Sequence, residues 1–328
     1  MEWRESMLRR QFLRLALGAG VCTSIPKTSS ARSYPTRPVR VLVGSAVGGV
    51  TDILARRIGQ WLSERLEQPF IIENKPGGGS NVATEAAVHA APDGYTILLL
   101  SPAQYVNATL YENLSYDFLH DLIPVAGISR ERYLMVVNPT LGISNVAEFI
   151  AYAKSHQRLN FASPGIGTGT HISAELFNMM TGLDMVHVPY RSGAPALVDL
   201  IAGQVHVMFP AIPSSIQLVR SNQLRAIGIT SSDRSPTFPE VPPIGHTVQS
   251  YESTTVFGLA VPAKTPLEIV GIINTAVNDG LANAPLASAF ENAGSTPLPL
   301  SPEQYMKLLE SETAKWNAVI KFAGIRAK

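Results

Sequence analysis

Residues 38–81 read PVRVLVGSAVGGVTDILARRIGQWLSERLEQPFIIENKPGGGSN. The segment 39–43 is a β-branched run of the kind that forms a buried parallel strand, and 45–49 is a small-residue loop leading into a long amphipathic helix. A loop that meets a helix start offers unpaired N–H groups and the positive end of the helix dipole. A carboxylate or phosphate suits that position, and Gly48 and Gly49 let the backbone approach it closely. Val47, Gly48, Gly49, Thr51 and Asp52 are therefore candidate ligand-binding residues, with Thr51 or Asp52 expected to cap the helix. The stretch supplies almost nothing that could do chemistry in such a pocket, which points to binding and not catalysis. It has neither the GxxxxGKS/T spacing of a nucleotide loop nor the GxGxxG of a dinucleotide turn.

Moving outward, strand-like runs at 70–73, 96–100, 124–128 and 133–137 alternate with helical stretches near 51–67 and 81–90. A second alternating set follows: helix 145–155, strand 159–162, helix 171–181, strand 185–188, helix 194–202 and strands 205–209 and 224–229. The pattern predicts an α/β protein of two lobes, each a mainly parallel sheet flanked by helices, with ligand in the cleft at the carboxyl ends of the strands. Residues 230–252, rich in Ser, Pro and Thr, read as an ordered connector before a strand at 256–261. A helix over 303–323 begins behind a Ser301 cap and Pro302. A chain of 328 residues is about twice the usual size of one domain, which agrees with two lobes.

The second informative loop is Ser163-Pro-Gly-Ile-Gly-Thr-Gly-Thr-His171, again after a strand and before a helix. Ser163, Gly167, Thr168, Gly169, Thr170 and His171 join the candidate ligand-binding residues. Two facing helix starts can divide the charge of one dicarboxylate without a cation in the cleft; an ordinary glycine-rich turn is the competing reading. His171 and Glu175 share a helix face at metal-ligand spacing, but the other histidines are scattered and neither HExxH nor a Cys/His cluster occurs, so no metal is expected. The absence of GxSxG argues against a serine hydrolase, and no catalytic residue or cofactor is assigned. Tyr190, after the strand at 185–188, can present a ring or hydroxyl to ligand or be a half-buried surface aromatic.

The composition, 45% hydrophobic and 16% charged, is that of a soluble globular protein. Arg9 and Arg10 followed by a short apolar stretch at 15–25 read as a twin-arginine export signal over 1–31, cleaved near Ala31. Without it the chain has 21 basic and 23 acidic residues, a net of −2, and no basic stripe for nucleic acid. Cys22, the one cysteine, leaves with the signal.

Seven phrases, YPTRPVRVLV, GGVTDILAR, IIENKPGGGSNVATEA, APDGYTILL, NFASPGIGTGTHISAELF, VHVPYRSGAPALVDLIAGQVHVMF and LRAIGITSSDRSPTFPEVP, stand in an order that resembles the Bug family. These are extracytoplasmic solute receptors of tripartite tricarboxylate transporters, and the likeness runs from about residue 34 to 325. It implies a monomeric periplasmic receptor with 32–132 plus 258–328 as domain 1 and 133–257 as domain 2. A small carboxylate is held between them, with Ser101 at the end of strand 96–100 and Pro210 after strand 205–209 in the binding set. Many relatives carry Asp where Pro210 stands. The implied partners are the membrane subunits of a transporter, or a sensor protein that reads the same binding event; a periplasmic enzyme is the more distant alternative.

Overall fold

The computed structural model describes residues 34–156, 158–292 and 295–326. The export signal and Cys22 lie outside them. The chain first lays down β1 (Val39–Val43), α1 (Val50–Arg65), β2 (Phe70–Asn74), α2 (Asn81–Val88), β3 (Thr96–Leu100), α3 (Pro102–Leu110) and the short α4 (Phe118–Asp121) before the long strand β4 (Leu122–Arg132). After Tyr133 comes a second run: β5 (Leu134–Val137), α5 (Val146–Ser155), β6 (Asn160–Ser163), α6 (Gly169–Thr181), β7 (Val186–Pro189), α7 (Gly193–Ile201), β8 (Val207–Met208), α8 (Ile212–Arg220) and β9 (Arg225–Ile229). The chain then returns through β10 (Thr254–Pro262) and finishes with α9 (Leu267–Ala282), α10 (Ala284–Asn292), β11 (Ser295–Pro297) and α11 (Pro302–Ala323).

These strands form two sheets, in the orders β11-β4-β10-β3-β1-β2 and β7-β6-β8-β5-β9. Pairing is parallel for β1 with β2 and β3 and for β6 with β7 and β8. It is antiparallel for β10 with β3 and β4, for β11 with β4, and for β5 with β8 and β9. The sheets are thus mixed, where the alternating pattern predicts mainly parallel ones. The reason lies in the connections. β4 carries the chain out of the first sheet and β10 brings it back, with Thr254 opposite Arg132 and Pro262 opposite Leu122, so the neighbours must run in opposite directions.

Local signals account for the individual elements. On α1 the buried Leu54, Ala55, Ile58 and Leu62 recur at helical spacing, and burial of each large apolar side chain stabilises by about 1.5–3 kcal/mol. Gly59 sits mid-helix because a Cβ there would come within 2.9 Å of the Ile72 side chain on β2. β3 and β10 are buried along their whole length, as expected for strands inside a covered sheet. α11 begins as anticipated, with Ser301 as its cap and Pro302 in the first turn, and the structure adds Gln304, which completes a capping box with Ser301. It packs against α3, β4 and α6, and Trp316 on it is fully buried with its Nε1–H donated to Glu312 at 2.7 Å. The connector after β9 contributes Phe238, Val241, Ile244 and Tyr251 to the buried core.

Candidate functional site

The two glycine-bearing loops follow β1 and β6, as predicted, but they are built differently. α1 takes Gly49 as its N-cap and receives no side-chain cap. This corrects the expectation that Thr51 or Asp52 caps the helix. Asp52 is the third helical residue, and its buried carboxylate turns back to accept the Gly48 N–H at 2.9 Å. The same carboxylate accepts from Arg56 Nε at 2.9 Å and from Asn74 Nδ2 at 3.0 Å. Burial works to raise its pKa, but the hydrogen bonds from Arg56, Gly48 and Asn74 outweigh burial and hold it below the usual carboxylate range. Asp52 is thereby committed to shaping the loop. The Asn74 amide also bonds the Ser45 carbonyl, tying the loop to β2.

What remains available at the start of α1 is backbone. Among the described residues, no group accepts from the N–H of Val50, Thr51 or Asp52. Ser45 Oγ is buried and equally without a partner. Gly48 has φ +85°, open to glycine at little cost, and faces empty space; Val47 beside it is 71% exposed. Gly44 touches Ser80, whose hydroxyl donates to the Gly44 carbonyl at 3.2 Å, so the Gly-rich turn at 77–80 buttresses the loop.

The second loop is held by its own side chains. Thr168 caps α6, accepting from the His171 N–H, and its hydroxyl donates to the Gly165 carbonyl at 2.7 Å. The Gly167 N–H donates to His171 Nδ1 at 3.0 Å, which leaves the proton of the neutral ring on Nε2, 3.5 Å from Glu175. Ser163 Oγ accepts from Gly165 N–H, donates to the Gly165 carbonyl, and lies 2.6 Å from His187 Nε2. That count leaves His187 Nε2 as the donor. Burial, with a smaller contribution from His171, lowers the His187 pKa to about 3, so the ring is neutral. The N–H groups of Gly169 and Thr170 have no partner in the described chain.

The loops meet the rest of the fold at defined points. Gly167, with φ +75°, faces Val106 and Leu110 of α3, each 3.5 Å from where a Cβ would stand. The start of α6 presses at Gly169 against Tyr133, whose hydroxyl bonds Thr255 at 2.8 Å across the crossover strands. A cavity of about 250 Å³ lies between Val50 and Ile53 of α1 and Ala211 and Pro213 at the start of α8.

The other predicted residues are placed as follows. Ser101 caps α3 in a capping box with Gln104, and its hydroxyl is engaged there. Tyr190 is half-buried and donates its hydroxyl to Asp199 at 2.7 Å, burial and that carboxylate raising the phenol pKa to about 12. Pro210 is buried, with its carbonyl accepting from Leu134 N–H, and adjoins Ala211 at the cavity. Sequence reasoning missed Ser45, Asn74, His187 and Glu131. Of these, only Asn74 had a readable signal, an amide directly at the end of a strand beside the first loop. Among the described residues no three metal-ligating side chains gather, and no helix is long and apolar enough to cross a membrane.

Two sheets linked by a pair of crossover strands, with uncapped or glycine-led helix starts at the strand ends, are an architecture shared with periplasmic solute-binding proteins. Residues 54–325 match the family model of the tripartite tricarboxylate transporter family receptor, and the chain belongs to that family. Protein BugT of Bordetella pertussis is 32% identical over 321 residues, covering 96% of this chain and 98% of that protein. The structure of R. palustris Rpa4515 with adipate superposes with a TM-score of 0.77 at 35% identity, over 89% of this chain and 99% of the other. MatC from Rhodopseudomonas palustris with bound malate gives 0.72 at 30% identity, over 88% and 100%. The periplasmic binding protein BugD gives 0.74 at 27%, over 90% and 100%.

Proposed function

We propose that this chain is a periplasmic receptor that captures a small carboxylate between its two lobes, 32–132 plus 258–328 and 133–257, and delivers it to the membrane subunits of a tripartite transporter. It acts as a monomer and performs no reaction; the twin-arginine signal exports it and is removed near Ala31. The observation that carries this reading is the start of α1, where among the described residues the amides of Val50, Thr51 and Asp52 have no partner and no side chain caps the helix. An anion supplies what those donors lack, in the favourable field of the helix dipole. The unpaired amides of Gly169 and Thr170 offer a second such position on the other sheet. Adipate and malate in two related structures are small carboxylates of the expected kind.

The test is a thermal-shift panel of mono-, di- and tricarboxylates and aromatic acids on the purified mature protein. Free ligand at a hundred times its Kd stabilises by about 2.7 kcal/mol, a readily seen shift in Tm. At least one acid is expected to bind and to be recovered unchanged. Recovery of a converted product overturns the receptor reading, and silence across the panel overturns the carboxylate one.

A further inference from the structure

The cavity beside the start of α1 has a lining of mixed character. Val50 and Ile53 on one side remain 47% and 41% exposed, although both are apolar, and Ala211 and Pro213 face them from the other sheet. The lining also includes Glu131 on β4 and Ser295 on β11, strands that pair with these two residues directly opposite. Ser295 is 1% exposed, and among the described residues its hydroxyl has only a loose contact with Glu131. Glu131 is 7% exposed, and the polar group set against its carboxyl is that Ser295 hydroxyl on the strand opposite. Buried polar groups are ordinarily satisfied, and leaving one unpaired costs about 1–3 kcal/mol. An apolar chamber whose lining includes a buried carboxyl and a loosely held hydroxyl has the complementary form of an apolar body with one polar tip.

We propose that this cavity receives the body of the bound acid, and that the ligand is an aromatic carboxylate bearing a hydroxyl at the end of the ring remote from its carboxylate. The proposal rests on the receptor reading above and specifies its substrate class. The carboxylate lies at the amides of Val50 and Thr51, the ring between Val50 and Ile53 on one wall and Ala211 and Pro213 on the other, and the hydroxyl between Glu131 and Ser295. A cavity of 150 Å³ is enough for benzene, so about 250 Å³ admits a ring with a substituent. The hydroxyl donates to Glu131 and accepts from Ser295, satisfying both. A second carboxylate there would set two acidic groups together, which is tolerated only by uptake of a proton. Burial, partly countered by the Ser295 hydroxyl, raises the Glu131 pKa to about 7, consistent with a site that holds a neutral partner.

Calorimetry with the mature protein compares 4-hydroxybenzoate, benzoate, succinate and adipate. 4-Hydroxybenzoate is expected to bind at least tenfold more tightly than either dicarboxylate and more tightly than benzoate. Ala211→Phe, which fills the cavity, should abolish binding of both aromatic acids and spare any weak binding of succinate. Glu131→Leu should remove the advantage of 4-hydroxybenzoate over benzoate, and provides an independent test if Ala211→Phe does not fold. Tightest binding of succinate or adipate, or a hydroxyl preference unchanged in Glu131→Leu, overturns this assignment and leaves the carboxylate receptor standing. Failure of all four acids and of the wider panel overturns both.

Discussion

His171 and His187 stack with ring centroids 3.9 Å apart, beside the loop that runs from Ser163 to Thr168, and Phe161 packs against both rings, 4.9 Å from His187 and 6.0 Å from His171. Each imidazole holds one end of the loop: His171 accepts from Gly167 N–H, and His187 bonds Ser163. Two stacked rings in a sheltered site cannot both carry a proton without strong repulsion, and burial with His171 beside it holds His187 neutral, so the loop geometry depends on a neutral His187. The unfolded chain protonates His187 near pH 6.5, whereas the folded protein resists until about pH 3. The folded pKa lies below the unfolded one, so this contribution to stability is complete above pH 6.5 and is lost as pH falls from there toward 3. Denaturant unfolding from pH 7 to pH 4 should show a steeper loss of stability in the natural protein than in His187→Gln. Parallel curves would show that His187 is not the titrating group.

The backbone of α1 can be tested without disturbing the helix. Proline is tolerated at the first helical position, and Gly49 before it is already extended, with φ −73° and ψ 164°. Val50→Pro therefore removes one unpaired N–H while keeping an apolar side chain at the cavity that Val50 lines. A hydrogen bond to a charged group is worth about 1.5–3 kcal/mol, so the Kd for the bound acid should rise roughly tenfold to a hundredfold while Tm of the free protein changes little. Unchanged affinity would place the anion away from this helix.

Pro210 stands where the family resemblance implies an aspartate in many receptors, and it offers neither charge nor N–H. A ligand ammonium buried there without a counter-charge is costly. The natural protein should prefer succinate to aspartate, and Pro210→Asp should narrow or reverse that order while lowering Tm of the ligand-free protein, because its new carboxylate lies buried. Calorimetry on both proteins measures the ratio. Tighter aspartate binding by the natural protein sinks the idea.

Export can be followed by fractionating cells that make the full chain. With Arg9 and Arg10 both replaced by lysine, precursor should accumulate in the cytoplasm. A normally exported double variant would remove the twin-arginine reading, and a mature N-terminus away from Arg32 would move the cleavage site.

Short-range signals were legible in the order of residues. Apolar spacing along α1, the Ser301 cap with Pro302 before α11 and the glycines after β1 and β6 each act within a few positions, and each produces the predicted local structure. Helix α8, strand β11 and the cap of α1 were not legible. β11 is three residues long and exists only because β4 offers it an edge, and Asp52 leaves the cap because Arg56 and Asn74 compete for its carboxylate.

The order of residues was enough to specify an α/β chain with two glycine-bearing helix starts and little reactive chemistry, along with the phrases that resemble one receptor family. Tertiary structure alone decided the mixed direction of the sheets, the stacking of His171 on His187, and the meeting of Val50, Ala211, Glu131 and Ser295 around one cavity. Periodicity and capping are written within one turn or one strand. Strand pairing, ring stacking and cavity lining join residues tens to hundreds of positions apart, and take form only when loop closure and burial bring the distant segments together.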